Sequence, residues 1–122
     1  MLSIALHGYS VIDRLELESR LAQAVSDCRG WIVDEKSVSI TGYRLRFEIA
    51  LVDIADLYGA LQQVELQFTP LAHRALTEMC LCRKHLVSRP QEETRIVSID
   101  LYVGVLDVDR IRFGHFLQMH HV

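Results

Sequence analysis

Apolar and polar residues alternate without interruption from Tyr43 to Leu51, in the middle of the chain. The charged side chains of Arg44, Arg46 and Glu48 occupy positions between the apolar ones. Successive side chains of a β-strand point to opposite faces of a sheet, so this pattern predicts a strand with one buried and one polar face. The polar face must then contact solvent, a ligand or another chain.

The segment before this strand predicts its hairpin partner, with a tight turn at Thr41-Gly42. In that register Lys36 and Asp34 would lie on the core face, where burial of an unpaired charge is unfavourable. Either a bulge near 34–37 shifts the alternation, or the loop is longer and lies nearer 39–42. Both alternatives predict an irregular second strand at an exposed edge.

The same two kinds of periodicity predict most of the other elements. Alternation predicts strands over residues 2–7, 66–68 and 95–106, and a helical period predicts helices over residues 13–28, 53–64 and 70–86. Thr69-Pro70 is a strong helix start, because a hydroxyl cap precedes proline at the first helical position. We expect Gly8–Ser10 to end the first strand and Gly59 to mark a close packing contact. The tail, 107–122, has no clear period.

The predicted order is β-α-β-β-α-β, followed by an added α-β at the C-terminus. The first six elements predict an α+β, ferredoxin-like fold, an antiparallel sheet with helices on one face. A length of 122 residues is typical of one domain, so we expect residues 1–122 to form a single unit.

The first half of the chain resembles the ACT-type small regulatory domains, over roughly residues 2–69. The matching segments are I-A-L-H-G-Y-S, the helix L-E-L-E-S-R-L-A-Q-A-V and the hairpin strand Y-R-L-R-F-E-I-A-L. This resemblance implies an amino-acid site near the turn after the first strand, often where two copies pair. In this sequence it implies a site at His7, Gly8, Tyr9 and Ser10.

The polar sheet face is the strongest candidate for a binding surface. The alternation predicts that His7, Arg44, Arg46, Asp100 and Tyr102 share it. Two arginines on one face can hold a carboxylate or phosphate through bidentate hydrogen bonds. The alternatives are the ordinary solvated side of the sheet and a face that pairs with another copy. Tyr102 is the only tyrosine, phenylalanine or tryptophan predicted there, which argues against RNA binding by base stacking.

Metal binding and catalysis have weaker support in the sequence. His115, His120 and His121 are an alternative metal site, although their spacing does not match the i,i+4 pair of a helix. Cys80 and Cys82 would point about 200° apart on a helix, too far to hold one ion. The sequence contains no phosphate-binding glycine loop, zinc-protease motif or nucleophile elbow, so we expect neither an enzyme nor a cofactor.

Composition narrows the remaining functional classes. The net charge is −3 with no basic block, which argues against nucleic-acid binding. We expect no signal peptide or membrane span, and three cysteines indicate a reducing cytoplasm. Hydrophobic residues make up 50% of the chain, so either helices or a second copy must cover the sheet. We expect a homodimer that binds a small amino acid or carboxylate. The alternative is a ligand-free protein–protein interaction domain.

Overall fold

The computed structural model describes residues 2–86 and 95–106, with only the backbone described for 82–86. Over these residues the chain forms five strands and three α-helices. In order they are β1 (Leu2–Ser10), α1 (Arg14–Asp27), β2 (Trp31–Ser39), β3 (Gly42–Ala50), α2 (Ile54–Gln62), β4 (Gln67–Phe68), α3 (Pro70–Leu86) and β5 (Ile96–Val105). The predicted α+β class is confirmed.

The five strands form one sheet in the order β2-β3-β5-β1-β4. β1 and β5 are parallel, whereas the other neighbouring pairs are antiparallel, so the sheet is mixed rather than wholly antiparallel. β5 was expected as an addition to a six-element unit. It lies instead at the centre of the sheet, between β3 and β1. A central position suits β5, because its inward side chains are fully buried and its backbone pairs with a strand on each side.

The core lies between one face of the sheet and the three helices. The strands contribute Leu6, Tyr43, Leu45, Phe47, Ile49, Val97, Ile99, Leu101 and Val103, and the helices contribute Leu17, Leu21, Val25, Ile54, Leu57, Leu61, Ala72, Leu76 and Met79. Burial of each large aliphatic or aromatic side chain contributes roughly 1.5–3 kcal/mol. These inward positions are the ones that the two periodicities predict.

Two of the helices begin with side-chain capping contacts, and the one at Thr69 is predicted by the sequence. The Asp13 carboxylate accepts a backbone N–H from the first turn of α1, and the Thr69 hydroxyl accepts the N–H of Ala72 at 3.2 Å. Asp53 precedes α2 but makes no capping hydrogen bond with its side chain. Its carboxylate accepts from Arg29 Nε at 2.9 Å and Nη2 at 2.6 Å, which ties the end of α1 to the start of α2.

The first strand continues through Gly8 and ends at Ser10, so the predicted break at 8–10 is wrong. Gly8 pairs with Phe68 of β4 on one side and Val103 of β5 on the other. A Cβ at Gly8 would lie 3.0 Å from Leu66 Cδ1 and 3.1 Å from the backbone oxygen of Gln67. This glycine therefore permits the close approach of the segment that contains β4, and it does not make a turn.

The predicted irregularity of the second strand is confirmed. The β2–β3 register shifts twice, between Ile32 and Asp34 and between Ser37 and Ser39. The resulting loop is two residues, 40–41, one position earlier than predicted. Between the shifts, Asp34 and Lys36 lie opposite arginines of β3, on the face away from the helices. The bulges therefore keep both charges out of the core.

Tyr43 has a buried hydroxyl without a hydrogen-bond partner among the described residues. The residue is 2% exposed, and the Arg14 guanidinium carbon lies 6.0 Å from the ring centroid. Burial, followed by the nearby carboxylates of Glu35 and Glu18, raises the pKa of the phenol. The hydroxyl lies near Glu35 without forming a hydrogen bond of normal geometry.

We expect Tyr43→Phe to raise the free energy of unfolding by about 1 kcal/mol, because it removes an unsatisfied buried polar group. Urea denaturation monitored by circular dichroism measures the change. Tyr58→Phe is the matched control, since the Tyr58 hydroxyl lies 2.6 Å from His73 Nδ1. That variant should lose about 0.5–1.5 kcal/mol. Equal losses in the two variants would show that the Tyr43 hydroxyl has a partner.

Candidate ligand-binding site on the open sheet face

The face of the sheet opposite the helices carries polar side chains from three neighbouring strands, β3, β5 and β1. Strand pairing places Arg44 beside Tyr102 and Tyr102 beside His7, and places Arg46 beside Asp100. We call this surface the open face. The sequence predicts that these five residues share one face, because each occupies a polar position of the alternating pattern in β1, β3 or β5.

Four of the predicted site residues surround one depression on the open face. Its volume is about 280 Å³, and it is lined by Ala5, His7, Val38, Arg44, Asp100 and Tyr102. Ligand sites usually occupy roughly 300–1,000 Å³, so this depression is smaller than most and has room only for a small molecule. Arg46 is the next residue of β3 on the same face, beside Asp100, and is not part of the lining.

Arg44 and Asp100 form a bidentate ion pair across β3 and β5. Nε of Arg44 donates to Oδ1 of Asp100 at 2.8 Å, and Nη2 donates to Oδ2 at 2.5 Å. The hydrogen bonds from Arg44 lower the pKa of Asp100 despite its partial burial, and the same pair raises the pKa of Arg44. Both groups are therefore charged at neutral pH. The sequence suggested that Arg44 is free to bind an anion. In the structure two of its N–H donors are already bound to Asp100.

Aromatic side chains pack across glycines of the neighbouring strands. A Cβ at Gly104 would lie 2.9 Å from Cδ1 of Tyr9, and one at Gly42 would lie 2.6 Å from the hydroxyl of Tyr102. The ring centroids of His7 and Tyr102 are 5.3 Å apart. The open face therefore carries the rings of His7, Tyr9 and Tyr102, and Trp31, which pairs with Glu48, adds a fourth at the β2 edge. The ACT resemblance named Tyr9 as a site residue, but alternation did not place it on this face, because the first strand was ended too early.

Ser10 does not belong to the open face. It is 2% exposed, its hydroxyl donates to the backbone oxygen of Glu65 at 3.2 Å, and it accepts from the N–H of Ile12 at 3.3 Å. The segment implied by the ACT resemblance is therefore divided, with His7 and Tyr9 on the open face and Ser10 on the buried side. Period-two alternation of β1 makes that division unavoidable.

Ser10 and Tyr9 border a second depression, of about 470 Å³, beyond the end of β1. The other lining residues are Val11, Gln62, Glu65, Gln67 and Leu106. Its one charged side chain is acidic, so it does not suit an anion. The depression beside Arg44 is the better candidate for a carboxylate or phosphate.

The alternative sites have less support in the described part of the chain. His115, His120 and His121 lie outside residues 2–86 and 95–106. Within those ranges no cluster of three or more potential ligands could hold a metal ion. Cys28 is buried, and desolvation raises the pKa of its thiol, which disfavours the reactive thiolate. No helix in the same ranges is long and apolar enough to cross a membrane.

Comparison with protein-family models, curated proteins and solved structures finds no significant match to this chain. What the chain does must therefore be inferred from the chemistry of its own residues. The open face combines a guanidinium, a carboxylate, an imidazole and one tyrosine ring around one depression. This combination can hold a small charged molecule by hydrogen bonds and pack against its apolar part.

Proposed function

We propose that this chain is a small ACT-like domain that binds an amino acid or a small carboxylate on its open face, without catalysing a reaction. The observation that carries the proposal is the meeting of His7, Arg44, Asp100 and Tyr102 around one depression. These residues come from three different strands. Their convergence supports a binding site that is formed by positions far apart in the sequence.

The strand directions support an ACT-like relationship. If β5 is left out, the remaining order is β2-β3-β1-β4. β1 and β2 then run parallel with β3 between them, which is the split β-α-β arrangement of ferredoxin-like domains. We infer that this chain is a ferredoxin-like unit in which β5 is inserted between β1 and β3.

The ion pair favours a ligand that carries both charges. An ionised carboxylate has about four acceptor positions and a guanidinium has five N–H donors. The pair between Arg44 and Asp100 uses two of each. Asp100 can therefore still accept from a ligand ammonium group, while the remaining donors of Arg44, with Arg46 nearby, can bind its carboxylate. An α-amino acid carries both of these groups.

We expect amino acids or small carboxylates to stabilise the protein against heat and urea. A ligand at about 100 times its Kd adds about 2.7 kcal/mol to the free energy of unfolding. The measurement is a thermal-shift screen with amino acids, small carboxylates and inorganic phosphate, followed by calorimetry. Asp100→Asn should weaken amino acids more than carboxylates that lack an ammonium group, whereas Arg46→Ala should weaken both.

Arg74→Ala is the control for the ligand screen, because Arg74 is an exposed residue of α3, away from the open face. Its ligand response should equal that of the wild type. No stabilisation by any of these compounds would contradict the proposed function. A response that Asp100→Asn and Arg46→Ala leave unchanged would place the ligand elsewhere.

A ligand-free interaction domain is the second candidate function. The observation that favours it is the edge strand β2, whose nine residues are all exposed. This candidate predicts a self-associating protein that is insensitive to metabolites. The two candidates do not exclude each other, because the depression and the outer edge of β2 are different surfaces.

A further inference from the structure

The outer edge of β2 is the longest unpaired strand edge in the described sheet. β2 has nine residues and pairs only with β3, whereas the strand at the opposite edge, β4, has two residues. Large apolar side chains are exposed along β2 and the turn after it: Trp31, Ile32, Val33, Val38 and Ile40. An exposed edge of this kind offers unpaired backbone N–H and C=O groups to another strand.

Glu35 lies at the centre of β2, between one charge of each sign, and apolar residues follow on both sides. An apolar segment, 31–33, lies on one side, and Val38 and Ile40 lie on the other. Asp34 and Lys36 flank the centre with opposite charges. An antiparallel copy of the strand centred on the same residue would place Asp34 opposite Lys36 and Ile32 opposite Val38.

We propose that β2 pairs antiparallel with β2 of a second copy, about a two-fold axis at Glu35. Asp34 and Lys36 both lie on the open face, because they pair with Arg46 and Arg44 of β3. In the dimer Asp34 of each copy is directly opposite Lys36 of the other. The contact is isologous, so each favourable pair occurs twice. This interface does not depend on ligand binding at the open face.

The same geometry predicts a weak dimer. The two register shifts limit regular pairing to the centre of β2. Glu35 lies on the helix side of the sheet, opposite Leu45, and would face its own symmetry mate. Like charges directly opposite each other are unfavourable. We therefore expect a Kd in the range of about 1–100 μM, and several-fold tighter association for Glu35→Gln.

Sedimentation velocity between about 1 μM and about 500 μM tests the dimer with the full chain. Asp34→Lys and Lys36→Asp each replace two attractive contacts with two repulsive ones, and each should raise Kd at least about ten-fold. The double variant Asp34→Lys/Lys36→Asp recreates both pairs with reversed signs, so it should restore dimerisation. Restoration is specific to this register, because a dimer through another surface would not respond to the exchange.

Arg74 and Glu78 provide a matched control for changes in net charge. They form an exposed i,i+4 ion pair on α3 with an Nε–Oε1 distance of 3.4 Å. Glu78→Lys and Arg74→Asp change the net charge by the same amounts as the two test variants. Both should leave Kd unchanged, and circular dichroism should confirm that all variants are folded.

A cross-link locates the two-fold axis independently. Directly opposed residues of antiparallel strands have Cβ atoms about 4.5–5.5 Å apart, near the range that a disulfide spans. Glu35→Cys should therefore form a covalent dimer on mild oxidation, beyond the background of the wild-type protein. Glu78→Cys should not.

Three results would overturn the proposed interface. A monomer at every concentration would mean that the bulges and charges of β2 protect the edge from pairing. A dimer that ignores the charge reversals, or that the double exchange fails to restore, would involve another surface. A dimer without the cross-link at position 35 would refute the register.

Discussion

A chain that ends before Ile96 is expected not to fold, because it lacks β5. This strand pairs with β3 over nine positions and with β1 over nine positions. Its inward side chains, Val97, Ile99, Leu101 and Val103, are all 0% exposed. Without β5, β3 and β1 lose their shared neighbour and the helices lose the centre of the surface on which they pack. Far-UV circular dichroism and amide proton dispersion of the truncated chain measure the result.

Point substitutions in β5 provide a graded version of this test. Leu101→Ala should lower the free energy of unfolding by about 2–5 kcal/mol, because it leaves a cavity in the core. Ser98→Ala, on the open face of the same strand, should change it by less than about 0.5 kcal/mol. A truncated chain that folds cooperatively would mean that the first four strands form an independent ferredoxin-like unit, with β5 as an accessory.

Gly8→Val is expected to have the second largest effect. The added Cβ meets the backbone oxygen of Gln67 at 3.1 Å and the Leu66 side chain at 3.0 to 3.2 Å, and valine adds two further methyl groups. The backbone atom cannot rotate away, so the segment leading into β4 must move. Overpacking of this kind costs about 1–3 kcal/mol, which urea denaturation measures. We also expect faster amide hydrogen exchange at Phe68 and Thr69, where the segment pairs with β1 and donates to His7.

Gly59→Ala is the contrasting control for Gly8→Val. Gly59 is an exposed residue within α2, and a Cβ there would have no neighbour within 4 Å. The close packing contact expected at Gly59 from the sequence is therefore wrong. Alanine should raise the free energy of unfolding by about 0.5–1 kcal/mol, because glycine is a poor helix former. If both substitutions stabilised the protein, β4 would have room to move away from β1 without loss.

The elements of this fold were accessible from the sequence because their signals are local. The alternation from Tyr43 to Leu51 predicts the inward residues of β3, and Thr69-Pro70 predicts the start of α3. The role of Gly8 was predicted wrongly, because a glycine in a strand pattern can indicate either a turn or a close backbone contact. The segment that contacts it, at 66–68, lies almost sixty residues further along the chain, so no local pattern distinguishes the two meanings.

The candidate site was predictable in membership but not in chemistry. Alternation alone places His7, Arg44, Arg46, Asp100 and Tyr102 on polar strand faces. The ion pair between Arg44 and Asp100 requires that β3 and β5 be neighbours, which the predicted strand order does not provide. Of the two ligand classes predicted from the sequence, amino acids and simple carboxylates, the pairing favours in our proposal the one that carries both charges.

The sequence by itself determined that the chain is an α+β domain, which residues of each strand face the core, and that Asp34 and Lys36 require an irregular β2. These properties depend on backbone periodicity and on the free energy of burying a side chain, and both act over a few residues. Only the tertiary structure decided that β5 is central, that Arg44 is paired and that the edge of β2 is left open. Strand order depends on which strand buries the most apolar surface against all the others, a comparison over the whole chain. The alternating segment from Tyr43 to Leu51 could therefore predict its own two faces, but not the neighbours that cover its edges.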